Sequence, residues 1–363
     1  MPIYMDLHIV PGVNAKAVAE AHSRDVYLEK DHNCKCLTYW IDELRGHVFC
    51  LIDAPNKETV YELHNRSHGL LPHKIIEVQN DFVESFLGRI TDPDSGLYTE
   101  TGLLMLNDSS YRILMSVCRT DSALLSHLLG AESAIEKLKE QTVIIKNEIV
   151  KYNGKEVQHT GHDILGSFIS AEAAVKCALA IQDQLSAIVD EFLSIRIDAG
   201  EPVANNNELF GETLRALDAF QLLNSKNSII ISGKVKELIG VDLLQNNKLQ
   251  MIELNFNDEQ LLKTLLDVLE ENFSNNEFGA DKYAQKLAMS KSQLYRKIKT
   301  LTGNSPNDIL KFYRLENAKK LLRKKYCSIF EVALQTGFTS PSYFTKCFKG
   351  TFNLLPLTYQ QLV

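Results

Sequence analysis

Two stretches near the C-terminus decide how this chain is read. The first is Ala280-Asp-Lys-Tyr-Ala-Gln-Lys-Leu-Ala-Met-Ser-Lys-Ser-Gln-Leu-Tyr-Arg-Lys-Ile-Lys299, and the second is Ser328-Ile-Phe-Glu-Val-Ala-Leu-Gln-Thr-Gly-Phe-Thr-Ser-Pro-Ser-Tyr-Phe-Thr-Lys-Cys-Phe-Lys349. Each reads as a short amphipathic helix, a tight turn, and a second helix with a polar, cationic outer face. Leu287, Leu294, Ile298 and Leu301 recur at helical spacing and are assigned to the core. So are Ile329, Val332, Ala333, Phe338, Phe344 and Phe348. Ser290 is placed as the N-cap of the first outer helix, and Ser340 with Pro341 at the first helical position opens the second. One long basic helix joins the two patterns. This is the arrangement needed to lay helices in the major groove of double-stranded DNA.

Charge points the same way. Residues 280–363 hold 15 Lys and Arg against 4 Asp and Glu, a net +11, in a chain whose total is -7. The first 279 residues therefore carry -18. A basic module on an acidic chain is what phosphate neutralisation requires.

Residues 256–363 resemble the DNA-binding domain of the AraC/XylS transcription regulators. The likeness rests on Leu287-Ala288, Met289-Ser290, Leu294-Tyr295-Arg296-Lys297, Leu301-Thr302-Gly303, Ser305-Pro306 and Arg314-Leu315-Glu316-Asn317-Ala318. It continues through Leu321-Leu322, Ile329, Val332-Ala333, Gly337-Phe338-Thr339-Ser340, Tyr343-Phe344 and Phe348-Lys349. The family usually ends in Gly-x-x-Pro-x-x-Tyr-Arg; here Asn353 and Gln360 replace the Gly and the Arg, while Pro356 and Tyr359 remain. The resemblance implies that Lys291, Ser292, Tyr295 and Arg296 in one helix, and Ser342, Tyr343, Thr345 and Lys346 in the other, face DNA. Arg296 is the choice for guanine, because a guanidinium can bond both major-groove acceptors. Lys297, Lys299, Lys320, Lys324 and Lys349 are read as phosphate neighbours. Packing of Tyr295 or Tyr343 against the domain is the alternative for those two rings.

Composition frames the rest. With 363 residues, 45% hydrophobic and 23% charged, the chain has room for several ordinary globular domains. It has no apolar run long enough to span a membrane and no signal-peptide pattern, so a cytoplasmic location is expected. The seven scattered cysteines do not suggest a disulfide scaffold.

Residues 1–90 alternate as strand, helix, strand, strand, helix, strand, with strands near 3–10, 34–41, 47–53 and 74–78 and helices near 15–30 and 57–67. This order predicts a ferredoxin-like sandwich with two helices on one face of an antiparallel sheet. Seven of the ten histidines fall here. His64 and His68 share a helix face, and His8 and His22 could complete a nitrogen-ligated site suited to a divalent transition metal such as nickel, copper or zinc. The segments Met5-Asp6-Leu-His8, Ala21-His22, Thr38-Tyr39-Trp40, Phe49-Cys50-Leu51, Asp53-Ala54-Pro55 and His64-x-x-x-His68-Gly69 resemble a ferredoxin-like family described as nickel-binding. A metal-free interaction or small-ligand domain is the other reading.

A linker over 91–111 leads to an α/β domain at 112–254. Its expected elements are a strand at 113–118, a long helix at 124–151, a strand pair around 161–168 and a helix at 171–185. Strands at 193–198, 228–232 and 249–254 follow, with the segment 211–222 between the first two. The order resembles the class III nucleotide cyclase domain, on Gly154, Gly161, 171–182, Ile195-Arg196-Ile197-Asp198-Ala199-Gly200-Glu201, Phe210-Gly211 and Ile229-Ile230-Ile231-Ser232. Such cyclases hold two metal ions with two aspartates. The first would fall within Met115-Ser-Val-Cys118, where there is none, and His162 stands at the second, with Asp163 one position late. Arg215 and Ala219 occupy the positions of the catalytic Asn and Arg. A degenerate cyclase-like domain used for dimerisation or sensing follows, and no catalytic residue is assigned.

The expected whole is a multidomain α+β, non-enzymatic, DNA-binding transcription regulator. It is a homodimer responding to a small-molecule or metal effector. The rivals are a nucleotide cyclase with a DNA-binding tail and a nickel-type metal-responsive regulator.

Overall fold

A computed structural model describes residues 1–157, 163–186, 193–204, 206–223, 225–246 and 251–363. The chain begins with β1 (Ile3–Ile9), α1 (Ala15–Leu28), β2 (Lys35–Asp42), β3 (His47–Asp53), α2 (Lys57–Ser67) and β4 (Lys74–Val78). The strands form an antiparallel sheet in the order β2-β3-β1-β4, as the sequence predicts for a ferredoxin-like sandwich. Strand periodicity sorts its side chains cleanly. Tyr4, Tyr39, Ile41, Val48, Cys50, Ile52 and Ile75 face a core with Val18 of α1 and Val60 and Leu63 of α2. Met5, Leu7, Trp40, Phe49, Leu51 and Ile76 face the other way.

That second face is covered as well. α3 (Asn80–Leu87) lies against it through Val83, Phe86 and Leu87. The linker is ordered by the hairpin β5 (Leu97–Tyr98) and β6 (Leu104–Met105). Leu106 N donates to Tyr39 Oη at 3.0 Å, fastening the linker to the first sheet.

The middle domain has a mixed sheet of β7 (Arg112–Arg119), β8 (Lys155–Val157), β9 (Ile164–Phe168), β10 (Leu193–Gly200), β11 (Ser228–Ile231) and β12 (Met251–Glu253). Their order is β12-β11-β10-β7-β9-β8. The expected helix at 124–151 is two helices, α4 (Ser122–Leu129) and α5 (Ala131–Lys151). The physical cause is Gly130, whose φ of 84° and ψ of 157° leave the helical region between them. α5 and α6 (Ala171–Ser186) bury one face of the sheet with Ile113, Met115, Ile195, Ile197, Ile229 and Ile231. The other face packs against α7 (Gly211–Phe220) and a 3-10 turn at Gln221–Leu223. Short helices α8 (Gly233–Leu238) and α9 (Val241–Asn246) precede β12. Gly161 and His162, on which the cyclase comparison leans, lie outside the described residues.

The N-terminal sandwich is seated on this sheet through polar and apolar contacts. Arg112, 4% exposed, donates from Nε to Phe86 O and from Nη2 to Leu87 O, each at 3.1 Å. Ser167 Oγ donates to Phe86 O at 2.8 Å, and the Phe86 and Phe210 rings lie 4.9 Å apart. These carbonyls end α3 and have no partner within it, so Arg112 supplies what the helix cannot. Arg112→Ala should therefore cost about 1–3 kcal/mol by taking this donor from Leu87 O, while Phe86 O keeps Ser167 Oγ. A fall in thermal stability, with faster proteolysis between the first two domains, is the expected measurement.

Candidate DNA interface and metal-ligating cluster

The C-terminal region is helical throughout. α10 (Phe256–Asn272) leads into α11 (Ala280–Lys286), α12 (Lys291–Thr302) and α13 (Pro306–Arg323). α14 (Ile329–Gln335), α15 (Pro341–Phe352) and α16 (Pro356–Leu362) complete it. Both outer helices start where their caps place them. Ser290 Oγ accepts from Gln293 N at 3.2 Å, and Gln293 Oε1 accepts from Ser290 N at 2.9 Å, a reciprocal capping box. Ser340 Oγ accepts from Tyr343 N at 3.2 Å with Pro341 in the first turn. The missing family glycine is met by Asn353, which takes the left-handed conformation at φ 53°. Asn tolerates that region better than most side chains, so the turn survives.

Helical periodicity then fixes which side chains are offered. Leu294 and Ile298 are fully buried under α12, and Phe344 and Phe348 under α15. Leu287, Leu301 and Ile329 are partly buried. On the outer faces Lys291, Ser292, Tyr295, Arg296, Ser342, Tyr343 and Lys346 are exposed, and Thr345 is half-buried. Tyr295 and Tyr343 are 53% and 52% exposed, so neither ring is enclosed by the domain. Lys291 Nζ pairs with Asp281 at 2.7 Å, a surface contact. Lys297, Lys299, Lys320, Lys324 and Lys349 are also exposed.

The histidine cluster lies between the first sheet and its helices. Asp6 and His8 alternate on β1 and point to the same side. His64 Nε2 is 2.7 Å from Asp6 Oδ2, and its Nδ1 is 3.0 Å from His68 Nε2 and 3.4 Å from Asp25 Oδ1. Two donor groups result: Asp6, His8, Cys50 and His64, and Asp25, His64 and His68, with ligand atoms in each within 4.8 Å of one another. Burial opposes charge on His64, but Asp6 and Asp25 outweigh it and lift its pKa to about 10. Burial and the nearby Asp6 push the Cys50 thiol up, so it holds its proton.

His22 does not join the cluster. It stands one turn before Asp25 on α1, its Nε2 3.4 Å from Asp92 and its ring against Tyr39. The sequence reading also missed Asp6, Asp25 and Cys50 as donors. Asp6 was findable from its i, i+2 relation to His8, whereas Cys50 is brought opposite Asp6 only by strand register. The donor set fits a transition metal. His8 Nε2 is buried without a hydrogen bond, Asp6 Oδ1 lying 3.4 Å away, and imidazole and carboxylate suit such ions, as would the Cys50 sulfur once it gave up its proton.

Residues 283–362 match the family described as Helix-turn-helix domain, and residues 4–78 the family described as Nickel responsive protein SCO4226-like. The chain is 40% identical over 103 residues to Histidine kinase P4 of Formosa agariphila, covering 28% of this chain and 8% of that protein. It is 29% identical over 153 residues to the HTH-type transcriptional activator RhaS of Mannheimia succiniciproducens, covering 38% of this chain and 57% of that one. The crystal structure of SCO4226 from Streptomyces coelicolor A3(2) is 32% identical over 21% of this chain and 94% of that chain, with a TM-score of 0.20. The chain thus spans less than two thirds of the curated relatives it matches. No helix among the described residues is long and apolar enough to cross a membrane. The C-terminal segment of this chain, residues 283–362, is thus similar to the family described as Helix-turn-helix domain.

Proposed function

We propose that the chain is a sequence-specific transcription regulator that binds double-stranded DNA through α12 and α15 and acts in the cytoplasm. The observation that carries this is the pairing of buried apolar seams with exposed polar faces on two capped helices in a module of net charge +11. Lys291, Ser292, Tyr295 and Arg296 would meet one major-groove segment, and Ser342, Tyr343, Thr345 and Lys346 the next. The surrounding lysines would meet phosphates, positioning rather than specifying. The upstream domains would bind an effector and pair two chains into a homodimer, biasing how the helices are presented.

The middle domain is read as cyclase-like in fold and without cyclase chemistry. Three features support this. Asp163 is engaged by Ser116 Oγ and Arg196 Nη2, each at 2.9 Å, Arg215 is held by Asp267 and Glu270, and Ala219 is buried. A two-carboxylate metal cradle would need Asp163 free and a second acid on β7, where Met115-Ser-Val-Cys118 offers none. Incubation of the protein with ATP or GTP and manganese should yield no cyclic nucleotide; robust formation would establish the rival enzyme.

In the N-terminal domain, a divalent transition metal of the nickel type would be held by His64 with Asp6, His8 and Cys50, or with Asp25 and His68. The ion would supply positive charge where His64 now supplies it, drawing β1, β3 and α2 or α1 and α2 onto one centre. Replacing His64 and His68 together by Ala should abolish stoichiometric metal retention, read by elemental analysis. Unchanged content would remove this cluster as the site.

For the DNA contact, Arg296→Ala should weaken binding to a selected duplex by about 1–3 kcal/mol and relax preference at one base position. An equal loss on all sequences would make Arg296 a phosphate contact.

A further inference from the structure

The second helix-turn-helix unit is fastened to the middle domain at Asp121. β7 lies between β9 and β10 and ends at Arg119, and Asp121 follows two residues later. Its Oδ1 accepts from Ala123 N at 3.0 Å and caps α4. Its Oδ2 accepts from Tyr359 Oη of α16 at 2.8 Å and from Arg323 Nη2 of α13, with Lys319 Nζ at 3.5 Å. The side chain is 6% exposed. Burial works against its charge, and Lys319 and Arg323 outweigh it, so the carboxyl sits below its ordinary value. Apolar packing encloses the junction, because Ala123 shares a core with Leu315, Ala318, Leu322, Phe344 and Phe348.

The junction does not mask the reading surface. Ser342, Tyr343 and Lys346 stay exposed while it is closed. The first unit is seated elsewhere: Arg215 of α7 binds Asp267 and Glu270 on α10. Leu222 and Leu223 also belong to one apolar cluster with Leu294 and Ile298 of α12. The two units therefore rest on the middle domain at separate points, and a central strand of its sheet runs into one of them.

We propose that Asp121 is a positioning residue for DNA recognition: through Lys319, Arg323 and Tyr359 it sets where α15 points, so that movement of β7 reaches the second half-site and not the first. This rests on the reading of the chain as a DNA-binding regulator. A buried carboxylate with two cations has few intermediate arrangements, since a partly opened state leaves charge without a partner.

The test uses the full chain and a duplex that the wild-type chain selects from a random-sequence pool. Asp121→Asn keeps the shape of the side chain and an oxygen for Ala123 N, but removes the charge. Protection of the half-site under α15 should weaken on the order of 5- to 10-fold relative to that under α12. Amide exchange should quicken in α16 and the last turn of α13 and stay unchanged in α11 and α12. Arg323→Gln should reproduce both effects from the other side of the junction. An unchanged ratio between half-sites, an equal loss at both, or unchanged exchange in α16 would overturn the proposal. Failure of the wild-type chain to select any sequence would instead remove the DNA-binding reading, and the exchange data would still decide whether Asp121 holds α16.

Discussion

One continuous apolar cluster governs how this molecule is assembled. It begins with Met5, Trp40 and Phe49 on the first sheet and passes through Phe86 and Leu87 of α3. It continues into Leu114, Leu165 and Phe220 of the middle domain and ends among Leu262, Leu266, Leu294, Ile298 and Leu310. Area removed from water is the dominant favourable term in such packing. The cluster links the first sheet to α12 through apolar side chains, with the buried Arg112 and Ser167 beside it where the first two domains meet. Polar pins sit beside this packing: Arg112 at the end of α3, and Tyr283 Oη on Leu265 O within α10 at 3.0 Å. Arg314 adds another, donating to Phe273 O at 2.8 Å.

The second helix-turn-helix unit lies outside that cluster and has its own core with Ala123 of α4. The tandem module is thus split between two packing units, although its sequence reads as one continuous domain. A split of this kind gives a regulator two handles. In the proposed function, the sandwich and middle sheet would bear on α12 through apolar packing and on α15 through one ionic junction.

What could be read from the sequence follows the range of the forces involved. Capping at Ser290 and Ser340, the seams of α12 and α15, and the succession of strands and helices in residues 1–90 are set by neighbours within a few residues, and each was legible. Gly130 was harder, since an isolated glycine inside a helical pattern is often tolerated. The contacts of Asp121 join residues separated by 202 and 238 positions, which no local pattern encodes. The histidine cluster falls between these cases. His64 and His68 were visible from spacing, Asp6 was passed over although alternation with His8 pointed to it, and Asp25 and Cys50 needed the packing of α1 and the register of β3. His22 shares a helix with Asp25 but lies instead against Asp92, a linker residue that no local pattern places there.

The central claim is that both α12 and α15 read DNA in the intact chain. Hydroxyl-radical footprinting of full-length protein on a selected duplex tests it most directly. Two protected segments on one face of the duplex, about 10 base pairs apart, are the predicted result. A single protected segment, or protection that does not depend on sequence, would contradict it.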